Sequence, residues 1–316
     1  LTHDELPGFF SEDIKYPDQR GINVELQYLF RSHYINLTGG IGDFDVNREQ
    51  ILTLEFPPPD GTFRKSADQD TRHINVYLYS YINVLKDLTF TLGASGDFFK
   101  TDEASESKDQ FNPKFGITWN ALPDTTLRAA VFRVFKRTLL TNQTLEPTQV
   151  AGFNQFYDDL ESTESWRYGI AVDQKFSRTI FGGAELSRRD LEVPVSITNQ
   201  FTNVTEVKRT DWREDLARAY LFWTPHEWLA LSAEYQYEYF KRVPDFGLGL
   251  VEATTHRVPL GLRFFHPSGL SFAVKTTYFH QNGDFQRRGS DCCESGTSDF
   301  WVVDTAISYR LPKRYG

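Results

Sequence analysis

The densest set of side chains able to do chemistry is Asp158-Asp159 with Glu161 and Glu164, carboxylates crowded into one polar stretch. Hard oxygen ligands of this kind suit calcium, but the glycine-punctuated spacing of a calcium loop is missing, so a solvated acidic loop is the simpler reading. The only cysteines are the adjacent pair Cys292-Cys293. Neighbouring cysteines bridge each other only through a strained ring, and no further ligands at metal-binding spacing flank them. They read as incidental loop thiols, with a redox or cross-linking role as the sharper alternative. Histidines are scattered, and His226 and His266 fall in short turns where a solvated imidazole is expected. Gly39-Gly40-Ile41-Gly42 is glycine-rich, yet no helix pattern follows it, which points to curvature or close packing rather than a phosphate cradle. No nucleotide, dinucleotide or zinc-hydrolase motif occurs, and Ser, His and Asp show no arrangement that marks a nucleophilic site. The sequence therefore nominates no catalytic, cofactor-binding or metal-ligating residue, and a non-enzymatic protein is expected. A net charge of −9 also excludes a general nucleic-acid binder, which needs a positive field.

What the sequence does specify is alternation. From Trp228 to Lys241, Leu229, Leu231, Ala233, Tyr235, Tyr237 and Tyr239 take one face, and Ser232, Glu234, Gln236 and Glu238 take the other. Strand side chains point to opposite faces in turn, so this segment has one apolar and one polar face. The apolar face grades from leucine to tyrosine, as where a strand leaves hydrocarbon for headgroups. The same period of two runs through Leu88 to Phe98, Phe111 to Trp119, Leu127 to Lys136, Trp166 to Phe176, Ile180 to Arg189, Thr254 to Phe265 and Leu270 to His280. Uninterrupted apolar runs fall far short of the roughly 20 residues of a spanning helix, so a membrane protein written this way spans as a barrel.

Short turns alternate with long connections. The turns are Leu85-Lys86-Asp87, Leu122-Pro123-Asp124, Ser177-Arg178, Thr224 to Glu227 and His266 to Gly269. The long connections are Val46 to Asp70, Thr101 to Gln110, Arg137 to Thr163, Leu191 to Thr210, Arg242 to Ala253 and Gln281 to Thr297. Such asymmetry belongs to outer-membrane barrels and counts against a compact soluble domain. Trp119, Trp223, Trp228 and Phe264 sit beside short turns, where one interfacial aromatic girdle is expected, and Tyr235, Tyr237 and Tyr239 belong to the other. Polar inward positions, namely Asn112, Lys114, Glu234, Gln236 and Glu238, are expected to line the lumen. Arg128, Lys136, Arg137 and Arg188-Arg189 read as strand-end charges near headgroups, or else as a basic lumen wall favouring anionic solutes.

About 13 strands result, whereas closed bacterial barrels have an even number. The expected fold is all-β, an antiparallel up-and-down transmembrane outer-membrane barrel, with about 13 of roughly 16 or more strands present. Residues 1–316 are expected to be a single barrel domain, excised from a longer chain and lacking at least its last strands. An open seam would then keep the segment from closing by itself.

Asn112-Pro113-Lys114-Phe115-Gly116-Ile117-Thr118-Trp119, a turn with Pro123, then Thr126-Leu127-Arg128-Ala129-Ala130 resembles a recurring hairpin of TonB-dependent outer-membrane receptors. Leu145-Glu146-Pro147, followed by Trp166-Arg167-Tyr168-Gly169-Ile170, is similar to that family's passage from loop to strand. Phe300-Trp301-Val302-Val303-Asp304 through Leu311 is similar to one of its late strands. Thr148 stands where the family pattern has a glutamate, and neither a plug domain nor an energy-coupling box is visible. The resemblance implies the β-barrel of a Gram-negative receptor that takes up a siderophore or cobalamin, with Arg137 to Thr163 and Leu191 to Thr210 as outer loops that capture ligand. The partners it implies are outer-membrane lipid, a plug domain in the parent chain and an inner-membrane energy-coupling protein. The alternative is a plugless barrel, fused to a periplasmic helical-repeat region, that serves as an export pore for a secreted polymer or as a membrane anchor.

Overall fold

Backbone amides that cross an apolar surround must pair with one another, and in the computed structural model they do so along one continuous antiparallel ladder. The structure describes residues 11–55, 62–102, 106–137, 143–155, 159–198, 205–243, 249–286 and 293–310. The strands are β1 (Ser11–Arg31), β2 (Ile35–Glu55), β3 (Thr62–Leu85), β4 (Leu88–Thr101), β5 (Ser107–Leu122), β6 (Thr125–Phe135), β7 (Gln149–Val150) and β8 (Phe153–Asn154). They continue as β9 (Glu164–Lys175), β10 (Ile180–Thr198), β11 (Thr205–His226), β12 (Leu229–Arg242), β13 (Gly249–Phe265), β14 (Leu270–Gln286) and β15 (Cys293–Tyr309). A 13-stranded sheet runs β1 to β6 and then β9 to β15 in chain order, which is the expected architecture and strand count. β7 and β8 form a separate hairpin inserted between β6 and β9. Among the described residues β1 pairs only with β2 and β15 only with β14, so the sheet has two edges.

The tight connections fall where turn chemistry puts them, at Lys86-Asp87, Pro123-Asp124, Ser177 to Thr179 and His266 to Gly269. One shifts, because β11 runs on through His226 and leaves Glu227-Trp228 as the turn. Three of the six long connections are strand over most of their described residues. Val46 to Asp70 stays paired out to Glu55 and Thr62, Leu191 to Thr210 out to Thr198 and Thr205, and Gln281 to Thr297 out to Gln286 and Cys293. The reason is physical: a barrel strand spans the bilayer in about 9–11 residues. β2, β3 and β11 have 21, 24 and 22 residues and run well past that. Beyond the bilayer the outer face meets water instead of lipid, so apolar side chains are no longer required on it while the backbone keeps its partners.

The sheet is inside out relative to a soluble protein. Val76, Leu78, Leu92, Phe98, Phe115, Ile170, Leu186 and Leu221 are exposed on the outer face, whereas Thr71, His73, Asn75, Ser95, Asp97 and Asn112 are buried on the inner one. Proline lies at three interruptions of the ladder: Pro17 between Lys15 and Asp18 of β1, Pro225 between Trp223 and His226 of β11, and Pro259 of β13, where β12 and β13 pair at Ala233 with Leu260 and again only at Gln236 with Arg257; none of them has an amide hydrogen to give. Apolar packing on the inner face joins Tyr77, Tyr79, Ala130, Phe132, Val134 and Ala171 of the wall to Val150 and Phe153 of the inserted hairpin.

Candidate functional site

The inserted hairpin is the centre of the site. Gln149-Val150 and Phe153-Asn154 are joined by Ala151 and Gly152, both at positive φ (47° and 83°), the backbone that a two-residue hairpin turn demands. Two wall glycines receive it. A Cβ on Gly169 would overlap the Phe153 ring, and one on Gly116 would come within 2.8 Å of the Ala151 Cβ. Phe153 then lies between two guanidinium groups, Arg128 at 5.3 Å and Arg167 at 5.9 Å from its ring centre. Of the connection from Arg137 to Thr163, expected as an outer ligand-capturing loop, residues 143–155 instead lie against the inner wall. They do so because Val150, Phe153 and Glu146 find apolar and charged partners there.

Polar anchors fix the rest of the segment. The Thr144 hydroxyl and the Leu145 amide both donate to the Glu25 carboxylate of β1 at 2.8 Å. On β3, the Tyr79 hydroxyl donates to Glu146 and receives Gln155 Nε2 at 2.9 Å. Glu146 is in turn ion-paired to Arg137, and both are buried. Below them Asp97 collects His73 Nε2 at 3.0 Å, Asn75 Nδ2 at 2.8 Å and Asn112 Nδ2 at 2.5 Å, so one carboxylate ties β3, β4 and β5 together. Lys114 Nζ donates to the Arg133 carbonyl at 3.0 Å. At the far end Arg167 donates to the Asn154 carbonyl at 2.7 Å and to Ser187 at 3.1 Å.

The acidic cluster has a different fate from either expectation. Asp158 lies outside the described residues; Asp159 pairs with Arg189, Glu161 with Arg48 at 2.6 Å, and buried Glu164 with Lys108, Arg133 and Arg209. These carboxylates are committed to cations and are neither a solvated loop nor a calcium site. Burial pushes the Lys108 ammonium below its ordinary value, with the Arg209 charge adding to the effect. Of the candidate basic residues, Arg128, Lys136, Arg137 and Arg189 are buried or half-buried, which overturns their reading as strand-end surface charges. Arg128 is paired with Asp173 at 2.7 Å and Arg189 with Glu214 at 2.7 Å, so they do not form a bare basic wall either. Arg188 alone of that set points outward, to Asp215. Cys293 is exposed at the start of β15, and Cys292 lies outside the described residues. Gly40 packs against Tyr77 and Gly42 against Phe44, the close-packing role expected for that run.

The family model described as TonB dependent receptor-like, beta-barrel, matches residues 6–316. The chain belongs to this family. Solved structures share its fold: the ferripyoverdine receptor of the outer membrane of Pseudomonas aeruginosa, at 13% identity and TM-score 0.61, aligns over 96% of this chain and 43% of that one. The FrpB iron transporter from Neisseria meningitidis, F5-1 variant, is 12% identical with TM-score 0.62 over 92% and 49% of the two chains. The copper transporter OprC is 10% identical with TM-score 0.59 over 98% and 52%. This chain thus spans about half or less of the length of these structures. No curated protein matches the sequence.

On the TonB-dependent receptor barrel, Trp119, Trp223, Trp228 and Phe264 are exposed beside the short turns. Tyr235, Tyr237 and Tyr239 follow one another on the outer face of β12, where Tyr237 meets the His256 ring and the Tyr239 hydroxyl donates to Glu252 at 3.0 Å. Asn112 and Lys114 point inward but are buried behind the inward segment. Glu234, Gln236 and Glu238 lie on the inner face beyond it, with Arg218 at 2.9 Å from Glu234 and Arg257 at 3.7 Å from Glu238. A cavity of about 400 Å³ opens on that face, lined by Arg167, Arg189, Glu214, Glu238 and Phe240 among others. Sequence reading missed Tyr79, Asp97, His73 and Phe153 as site residues. A signal was available for Phe153 alone, the pair of wall glycines Gly116 and Gly169 inside otherwise regular strand patterns, which receive its hairpin.

Proposed function

We propose that this chain, as one barrel domain over residues 1–316, forms the greater part of the wall of an outer-membrane uptake barrel in a Gram-negative bacterium. Its parent protein draws a metal or metal chelate through the lumen. The carrying observation is the inside-out sheet, apolar and aromatic-banded outside and polar and charged inside, with one segment folded inward against the wall. The solute class is supported by three proteins of shared fold: a ferripyoverdine receptor, an iron transporter and a copper transporter. In this reading Glu234, Gln236 and Glu238 line the path, while Asn112 and Lys114 set the wall behind the segment. Outer-membrane lipid bathes the aromatic bands. A plug domain in the parent chain and an inner-membrane energy-coupling protein supply gating and energy, and no catalytic step is involved.

The test is accumulation of radiolabelled ferric chelates by cells making the full-length protein, with and without the inner-membrane energy coupler. Coupler-dependent accumulation supports uptake. A steady open conductance together with coupler-independent release of a polymer would overturn it in favour of an export pore.

A further inference from the structure

We propose that His256 and His280, side by side on the outer face of β13 and β14, form a two-histidine clamp for a divalent transition-metal ion such as Cu2+ or Zn2+. The clamp lies outside the lumen and goes beyond the uptake reading. Three observations carry it. First, the register of the sheet sets four side chains in one straight row: Tyr237 of β12 opposite His256, His256 opposite His280, and His280 opposite Asp299 of β15. The ring centres of His256 and His280 are 5.9 Å apart. With metal–nitrogen bonds of about 2.0 Å, two imidazoles on one ion have ring centres about 5 Å apart, so a small side-chain rotation closes the clamp.

Second, each ring is oriented from behind. His256 Nδ1 meets the Tyr235 hydroxyl of β12 at 2.8 Å, and His280 Nδ1 meets Asp299 Oδ1 of β15 at 2.7 Å. These partners flank the pair on opposite sides. The tautomer that donates Nδ1–H to both oxygens leaves the Nε2 lone pairs of both rings for an ion. The Tyr278 hydroxyl donates to the same Asp299 oxygen at 2.6 Å and holds that carboxylate in place. His280 Nε2 receives the Asn282 amide at 3.2 Å, a long bond between neutral groups that a metal ion displaces.

Third, water reaches the row. Toward the short turns the next outward positions of β13, β14 and β15 are Val258, Tyr278 and Trp301, whereas on the other side they are Thr254, Asn282 and Thr297. The row therefore stands at the edge of the apolar band, where an ion arrives from solvent. Imidazole ligands suit Cu2+, Ni2+ and Zn2+ and not Mg2+ or Ca2+. Among the described residues no group of three or more His, Cys, Asp or Glu is placed to hold a metal, so the protein supplies two ligands here and water completes the shell.

The experiment is titration of the full-length protein in detergent with Cu2+, read by calorimetry and by the nitrogen hyperfine structure of its electron paramagnetic resonance spectrum. Wild type is expected to bind one more ion than His256→Ala or His280→Ala, with a two-nitrogen signal that both variants lose. His256→Gln and His280→Gln keep the row polar and guard against alanine disturbing the strands. The turn variant His226→Ala is expected to match wild type. Asp299→Asn keeps both ligands, removes the charge behind His280 and is expected to weaken this site about tenfold or more. The same ion count, affinity and spectrum in wild type and in every His256 and His280 variant overturns the clamp. Wild-type affinity in Asp299→Asn overturns the orienting role of that carboxylate. Because binding is read without transport, absence of coupler-dependent chelate accumulation would strike the uptake reading alone and leave the clamp standing.

Discussion

The Arg137 guanidinium is ion-paired to the Glu146 carboxylate with the two side chains only 2% and 0% exposed. Arg137 also donates to the Thr144 hydroxyl at 3.1 Å and lies 3.9 Å from Asp97 of β4. One pair thus joins the start of the inward segment to its middle, and both to the wall. Charges taken this far from water are favourable only together, because each one's desolvation is offset by the other.

Removing one partner should therefore cost more than removing both. Arg137→Ala or Glu146→Ala is expected to lower stability by about 3–5 kcal/mol, whereas the double variant Arg137→Met with Glu146→Leu should lose much less. Limited proteolysis between Gln143 and Gln155 of the full-length protein reads the difference. Single variants should be cut faster than the double, and equal rates throughout would refute a buried lock.

Phe153 is expected to hold the hairpin by shape as well as by charge. Phe153→Ala removes a buried ring and should cost about 3–5 kcal/mol in thermal or denaturant unfolding, with Phe153→Leu milder. The ring also carries the two guanidinium contacts, so Phe153→Leu should still lose more than a volume change alone. A leucine variant indistinguishable from wild type would assign Phe153 no more than filling.

The sheet was legible in the sequence because hydropathy reports which face meets lipid. Leu229, Leu231 and Ala233 against Ser232 and Glu234 required that strand, and Pro123-Asp124 required that turn. Two features were not read from the sequence. The arm Leu191 to Thr198 was expected as part of a long connection, yet Leu191, Val193, Val195 and Ile197 alternate there with Glu192, Ser196 and Thr198, Leu191 and Val193 are buried, and backbone pairing continues to its end. The inward segment is set by partners remote in sequence: Thr144 and Glu25 are 119 residues apart, and Glu146 and Tyr79 are 67 apart. No local pattern encodes such complementarity. Leu145-Glu146-Pro147 stood out as a motif, but that its glutamate is buried follows only from the fold.

The β12–β13 arm should loosen in acid. Hydrogen bonds from Lys241 and from the Tyr239 hydroxyl hold the Glu252 carboxyl below its ordinary range. A folded-state pKa lower than the unfolded one means stability that is present above the unfolded carboxylate value, about 4.3, and is lost as pH falls through the folded value. Amide exchange in this arm, corrected for intrinsic rates, should show lower protection below that range than at neutral pH. Glu252→Gln should flatten the dependence, and a profile identical to wild type would assign the effect elsewhere.

Asp97 makes the sharpest test of the wall itself. His73, Asn75 and Asn112 share its carboxylate as acceptor, and all four side chains are buried. Asp97→Ala takes that acceptor from these three donors and from the Ser95 hydroxyl at once, at about 1–3 kcal/mol for each one left unsatisfied. His73→Phe removes one donor while keeping a ring among Phe44, Phe99 and Phe135, so it should be milder. Because the groups act as one network, the double variant Asp97→Ala with His73→Phe should destabilise less than the sum of the singles, by about 0.5–3 kcal/mol. Denaturant unfolding of the four species in matched detergent measures this coupling. Strict additivity would mean that His73 and Asp97 are neighbours without an energetic link, and would leave the buried carboxylate supported by Asn75, Asn112, Ser95 and the nearby Arg137.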